Sequence, residues 1–226
     1  MKVIAIAMEH EAAGLLAHVA VKKETRFGYA RALEIDDEGR LATVLIFGVG
    51  KVHAAAGVAA FLASHSDVDS IISVGVGGSL DAKKAPLLSA ILGSDFLQHD
   101  VDTSALGDPI GMVSGENLVR FPASQKVNED LQRALQSAGI PFSSGTISSG
   151  DSFIAGQSQK ETIVRNFASL SCDMESAAVA QVAYEYGVPF GGFRIVSDTG
   201  HPGEYQENVA RAEALLSKAL LAYVAQ

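Results

Sequence analysis

Apolar runs and helical periodicities alternate along the chain. Val3-Ile4-Ala5-Ile6-Ala7 is a continuous apolar run that ends at charge, the pattern of a strand buried on both faces. A helix is predicted over Glu11 to Val19, a more exposed strand over Phe27 to Ile35, and a β-branched strand over Leu41 to Phe47. That strand stops at Gly48-Val49-Gly50, where a helix of small residues, Val52 to Ala63, begins. Ser70 to Val74 reads as the next buried strand, followed by Gly75-Val76-Gly77-Gly78, and Pro86 to Phe96 is strand-like again. Residues 98–122 are polar, contain glycine and show no period; a stretch that long inside a compact domain is usually functional or an interface element. Gln125 to Ser137 has helical spacing and is stopped by Gly139-Ile140-Pro141. Pro141 to Ile147 forms a strand, and Ser158 to Phe167 and Glu175 to Tyr186 form helices, the second closed by Gly187. A buried strand then runs from Val188 to Asp198, and an amphipathic helix from Asn208 to Val224 ends the pattern. This alternation predicts an α/β fold, a three-layer α/β/α sandwich around a central mixed, largely parallel sheet. Neither a repeat nor a linker interrupts it, so a single domain over residues 1–226 is expected.

Composition narrows the partners. With 48% hydrophobic and 19% charged residues the chain can bury a sizeable core. A formal charge of −9 argues against nucleic acid or an anionic membrane as the main partner. A single cysteine, Cys172, excludes an internal disulfide and fits a reducing compartment. Val3 to Met8 is too short for a signal core, and no run approaches membrane-spanning length. A cytoplasmic protein is expected.

Candidate chemistry gathers at the predicted strand ends, where open α/β sheets keep their crevices. Glu11 follows the first strand, Glu175 opens a helix in Asp173-Met174-Glu175-Ser176, and Asp198 closes the last strand. Each alone reads as a helix cap or a first-turn acid; three together suggest acid–base work on a small polar substrate. Gly48-Val49-Gly50-Lys51 lacks the spacing and hydroxyl of a P-loop, and Gly75-x-Gly77-Gly78 is no dinucleotide fingerprint. Each reads either as a tight strand-to-helix turn or as backbone that approaches a ligand closely. His99-Asp100-Val101-Asp102 holds potential metal ligands, but its spacing matches no closed zinc pattern. Hydrogen bonds ordering the loop are the expectation there, with no metal and no cofactor. In Ser149-Gly150-Asp151-Ser152-Phe153-Ile154 the aromatic ring either packs into the core or forms a shelf for a heterocycle.

Taken together, these segments resemble the 5′-methylthioadenosine/S-adenosylhomocysteine nucleosidase family, within the purine nucleoside phosphorylase superfamily. Similar are Ala7-Met8-Glu9-His10-Glu11, Gly48 to Val52, Gly75 to Leu80, His99 to Asp102, Ser149 to Ile154, Asp173-Met174-Glu175 and Val188 to Asp198. They occur in family order over nearly the whole chain. The resemblance implies that Glu11 activates water and Asp198 protonates adenine N7. It implies that Met174 and Glu175 hold the ribose hydroxyls, and that Phe153 stacks on adenine while the Ile154 backbone reads its edge. Ser197 and Arg194 would orient the acid and the water site, and Met8, Val49, Val76 and Gly78 would complete the substrate pocket. It further implies a homodimer with the 98–122 loop at the interface, forming the pocket for the 5′ substituent. Val76 stands where the family usually has serine or threonine, Ser79 replaces a glycine, and Thr103, Leu106 and Met112 depart from the loop pattern.

The implied activity is hydrolysis of the N-glycosidic bond of a small nucleoside, 5′-methylthioadenosine or S-adenosylhomocysteine. A phosphorylase on the same fold would need fixed cations. Ile71-Ile72-Ser73-Val74 supplies no arginine, and Met8-Glu9-His10-Glu11 is acidic. A purine-binding sensor without turnover would not need all three carboxylates. An aminodeoxyfutalosine nucleosidase would share the adenine and ribose contacts and stays open beside the main reading.

Overall fold

The computed structural model describes residues 1–226. Strand β1 (Lys2–Ile6) lies between β4 (Arg40–Ile46) and β5 (Ser70–Ser79), parallel to both. Its side chains alternate between two cores, as the strand period requires. Ile4 and Ile6 pack with residues of α1 (Glu9–Leu16), α3 (Gln125–Ser137) and α6 (Pro202–Val224) on one face. Val3 and Ala5 pack with α2 (Lys51–Leu62) and α5 (Ser176–Glu185) on the other. The sandwich and its mixed sheet are those expected. Helix α4 (Gln157–Phe167) covers a smaller cluster around Leu97, Ile154 and Cys172.

The sheet runs in the order β10 (Phe190–Asp198), β6 (Ala90–Gln98), β8 (Phe142–Ser149), β9 (Ser171–Asp173), β5, β1, β4, β3 (Ala30–Asp37), β2 (Ala20–Phe27). The short strand β7 (Phe121–Pro122) pairs with β6. Strand β10 also pairs in parallel with β5, from Phe190 against Ile71 to Asp198 against Gly78. Strands β5, β9, β8, β6 and β10 therefore form a closed circuit within the mixed sheet. Closure draws Asp198, Asp173 and the end of β5 to one rim.

Three further expectations change. The strand expected over Phe27 to Ile35 is β3, shifted to Ala30–Asp37, and it is the second arm of a hairpin whose first arm is β2, turning at Gly28 with φ +61°. Strand β2 is mostly exposed and charged, so it carries no buried alternation to reveal it. Gly75-Val76-Gly77-Gly78 is not a turn but the second half of β5, paired with β10 and β9. A Cβ on Gly75 would lie 2.6 Å from Glu11 Oε1, and one on Gly77 3.0 Å from the Cys172 carbonyl oxygen. Glycine is what lets those neighbours approach. Helix α6 starts at Pro202 rather than Asn208, with the proline in its first turn, where its missing N–H costs nothing.

Candidate active site

The rim of the closed circuit opens into a cavity of about 360 Å³, a size suited to a small-molecule ligand. Met8, Glu11, Val49, Val76, Gly78, Phe153, Ile154, Met174, Glu175, Ser197 and Asp198 all line it. Glu11, Glu175 and Asp198 are 3%, 7% and 2% exposed, so three nearly buried carboxyls face one space. Neither lysine nor arginine is among the lining residues.

Each carboxyl is held by its own local structure. Glu11 sits in the first turn of α1, and its Oε2 accepts the Met8 N–H at 3.0 Å, one arm of a capping box. Its Oε1 accepts the Val76 N–H from β5 at 2.9 Å. Glu175 caps α5, and its Oε1 accepts the Gly50 N–H at 2.8 Å from the start of α2. Asp198 accepts from the Ser197 hydroxyl at 2.9 Å and from the Gly200 N–H at 2.8 Å. Phe153 is 44% exposed and edge-on to Tyr205, with centroids 5.9 Å apart, so it is a wall of the cavity and not a core residue.

Arg194 departs from the expected arrangement: it does not line the cavity but lies buried behind it. Its Nε is 2.8 Å from Asp173 Oδ2, an ion pair rather than an aligned hydrogen bond. Its other nitrogens donate to Ser73 Oγ and the Phe193 carbonyl, each at 3.0 Å. Ser79 is buried and also turned away from the cavity. His99 to Asp102 serves the loop as expected: Asp100 bonds Lys51 and the Asp151 N–H, and Asp102 accepts the Ser104 N–H.

Comparison with known proteins agrees with this geometry. A model of the phosphorylase superfamily matches residues 2–225. A 5′-methylthioadenosine/S-adenosylhomocysteine nucleosidase of Shewanella halifaxensis is 30% identical over 95% of this chain and 96% of its own length. The chain belongs to that nucleosidase family. Among solved structures, the Neisseria meningitidis nucleosidase in complex with methylthio-immucillin-A superposes with a TM-score of 0.91 at 28% identity, covering 99% of this chain and 97% of that one. The futalosine hydrolase of Helicobacter pylori strain 26695 also reaches 0.91, at 25% identity, with the same coverage of both chains.

The cavity of this family member includes residues that the sequence reading passed over. Pro202, Tyr205 and Gln206 enter from the first turn of α6, and Ser152, Cys172 and Asp173 complete the wall. Pro202 was the available signal for an earlier helix start. Asp173 stands in the Asp173-Met174-Glu175 motif without a role of its own there, because its importance depends on Arg194 arriving from another strand.

Burial sets the electrostatics. It raises the Glu11 carboxyl above its usual range, although the Val76 and Met8 N–H groups and the charge of Arg194 oppose it. Burial, then repulsion from Asp173, pushes Glu175 up to about 7 against the pull of Arg194 and the Gly50 N–H. Burial likewise pushes the Cys172 thiol up to about 12, which leaves it unreactive. For Glu175 the folded chain retains a proton that the unfolded chain releases near 4.5. Its contribution to stability is thus full below about pH 4.5 and lost as pH rises through about 7. Relative to the parent, Glu175→Gln should therefore be more stable at pH 8 than at pH 5, by at least about 2 °C in Tm. A Tm difference that does not change with pH would contradict the assignment.

Proposed function

We propose that the protein hydrolyses the N-glycosidic bond of 5′-methylthioadenosine and S-adenosylhomocysteine, releasing adenine. The observation that carries the reading is the convergence of Glu11, Glu175 and Asp198 on one cavity that no cation lines. Adenine is a poor leaving group as an anion. The Asp198 carboxyl gives its proton to adenine N7 as the bond between the base and the ribosyl anomeric carbon breaks. Positioned proton transfer of this kind contributes ~10²–10⁴-fold. The electron pair of that bond leaves with the base, and the sugar carbon becomes cation-like. Ionised Glu175 accepts hydrogen bonds from the ribose hydroxyls and stabilises that charge. A water oxygen then bonds the same carbon, and Glu11 takes its proton, a layout parallel to inverting glycosidases. Met174 packs at the sugar, and Phe153 offers its ring to the adenine face while the Ile154 backbone reads its edge. Met8, Val49 and Val76 give the remainder of the pocket apolar surface, and Gly78 leaves room for Asp198.

Arg194 acts from behind the wall: its charge favours ionised Glu11 and Glu175 through space. Being paired to Asp173 and Ser73, it is not a phosphate site. That favours water over phosphate as the nucleophile. The likeness to futalosine hydrolase supports a second reading, aminodeoxyfutalosine as substrate, because the base and ribose contacts are shared.

The reading includes a cytoplasmic homodimer serving methionine salvage. Leu106 is 85% exposed and Ile110 38% in the 98–122 loop, while Val52 is 78% exposed on α2. A second copy would cover this apolar surface. Sedimentation at micromolar concentration should give a dimer mass; a monomer mass would remove the interface.

Adenine release from 5′-methylthioadenosine, S-adenosylhomocysteine and aminodeoxyfutalosine tests the substrate. The first two should be cleaved, and activity confined to the third would favour the second reading. Asp198→Asn should lower kcat by ~10² or more while binding persists, since an amide supplies no proton. The parent's kcat/KM should rise with pH through about 7 as Glu175 ionises, and Glu175→Gln should lose that limb. Near-parental turnover by Asp198→Asn would refute its role as the acid.

A further inference from the structure

Lys51 lies outside the cavity, yet three hydrogen bonds tie it into a closed ring. Its backbone N–H donates to Asp151 Oδ1 at 2.8 Å, and the Asp151 N–H donates to Asp100 Oδ2 at 3.0 Å. The Lys51 ammonium returns to Asp100 Oδ1 at 2.5 Å. Gln98 Oε1 accepts from the same ammonium at 3.0 Å, and the Gln98 amide donates to Gln181 of α5 at 2.8 Å. Burial disfavours the charged form of Asp100, but Lys51 and the Asp151 N–H together hold its carboxyl below the usual range. The Lys51 side chain is only 16% exposed, so this ion pair is poorly screened.

Every member of the ring adjoins a piece of the proposed site. Gly50, directly before Lys51, donates the N–H that holds Glu175 Oε1 at 2.8 Å. Gly50 adopts φ +99°, a conformation open to glycine, and α2 has no side-chain cap of its own. Its first N–H groups are taken instead by two carboxylates from elsewhere in the chain, Glu175 and Asp151. Ser152 and Phe153 of the cavity wall follow Asp151, and the 98–122 loop departs from Asp100.

We propose that the Lys51–Asp100–Asp151 ring is a positioning device that aims the Gly50 amide at Glu175 and fixes the base shelf relative to the sugar carboxylate. This rests on the reading that Glu175 holds the ribose hydroxyls. A loosened ring leaves Gly50 free to swing, and the carboxylate loses a donor that favours its charged form. The groups facing Glu175 are then Asp173 from β9, Arg194 from β10 and Glu11 from α1. Lys51, Asp100 and Asp151 are positioning residues and touch no reacting atom.

The sign of one titration separates positioning from plain electrostatics. Asp100→Ala removes a negative charge, which through space would lower the Glu175 pKa; opening the ring would raise it. Carboxyl ¹³C NMR of the ligand-free protein, with Glu175→Gln for assignment, reads this without any substrate. The midpoint should move up in Asp100→Ala and also in Asp151→Ala, which likewise removes a negative charge but breaks the ring at the Lys51 N–H instead, and which serves if Asp100→Ala does not fold. Lys51→Arg should keep the parental midpoint. With 5′-methylthioadenosine, kcat/KM of the two opening variants should fall ~10-fold, the scale of one hydrogen bond, mostly through KM. An unchanged or lowered midpoint in the opening variants, with only Tm reduced, would overturn the proposal. If the parent releases no adenine, the functional reading fails while the titration still decides the ring.

Discussion

The carboxylate of Asp173 is the point on which the site depends. It is buried where β9 meets α5, and its Oδ1 accepts the Ser149 hydroxyl together with the N–H groups of Glu175 and Ser176 at 3.1 and 3.2 Å. Its Oδ2 pairs with Arg194. One side chain therefore joins the end of β8, the start of α5 and the middle of β10. Removing one partner of such a buried pair costs ~3–5 kcal/mol, because the other charge is left without compensation. The same group sets chemistry: its repulsion helps keep Glu175 near the midpoint of ionisation, and its pairing with Arg194 fixes the cation that offsets both glutamates.

Closure of the strand circuit makes that pairing possible. Strands β5 and β10 come so near that a Cβ on Gly192 would lie 2.3 Å from the Ser73 carbonyl oxygen. Gly77 likewise leaves 3.1 Å between its would-be Cβ and that of Arg194. Small residues admit the buried arginine, and the arginine in turn allows acidic groups to gather without solvent. Carboxyls with differently tuned environments around one cavity are the usual way an enzyme assembles acid and base functions near neutral pH.

Much of this was legible from residue pattern, for identifiable reasons. Helix α3 has the predicted bounds, Gln125–Ser137, because its apolar face is narrow and Gly139-Ile140-Pro141 stops it. The continuous apolar runs became the central strands because both their faces are covered. Strand β2 was missed because its exposed, charged residues do not alternate, and β9 because three residues carry no period. The glycines of β5 were ambiguous between a turn and close packing, and only the register against β10 decides between them. For the site, the ordered motifs contain most of the lining residues, but none from α6. The position of Arg194 behind the wall and the entry of Tyr205 depend on how distant elements pack, which no local signal encodes.

The origin of the oxygen delivered to the sugar distinguishes hydrolysis from phosphorolysis. With 5′-methylthioadenosine in H₂¹⁸O containing phosphate, the products should be adenine and a free methylthioribose carrying one ¹⁸O at its anomeric carbon. Early sampling is needed, because exchange of a free sugar's anomeric oxygen with the labelled water would introduce the same label. A sugar 1-phosphate as product, or adenine release that requires phosphate, would contradict hydrolysis.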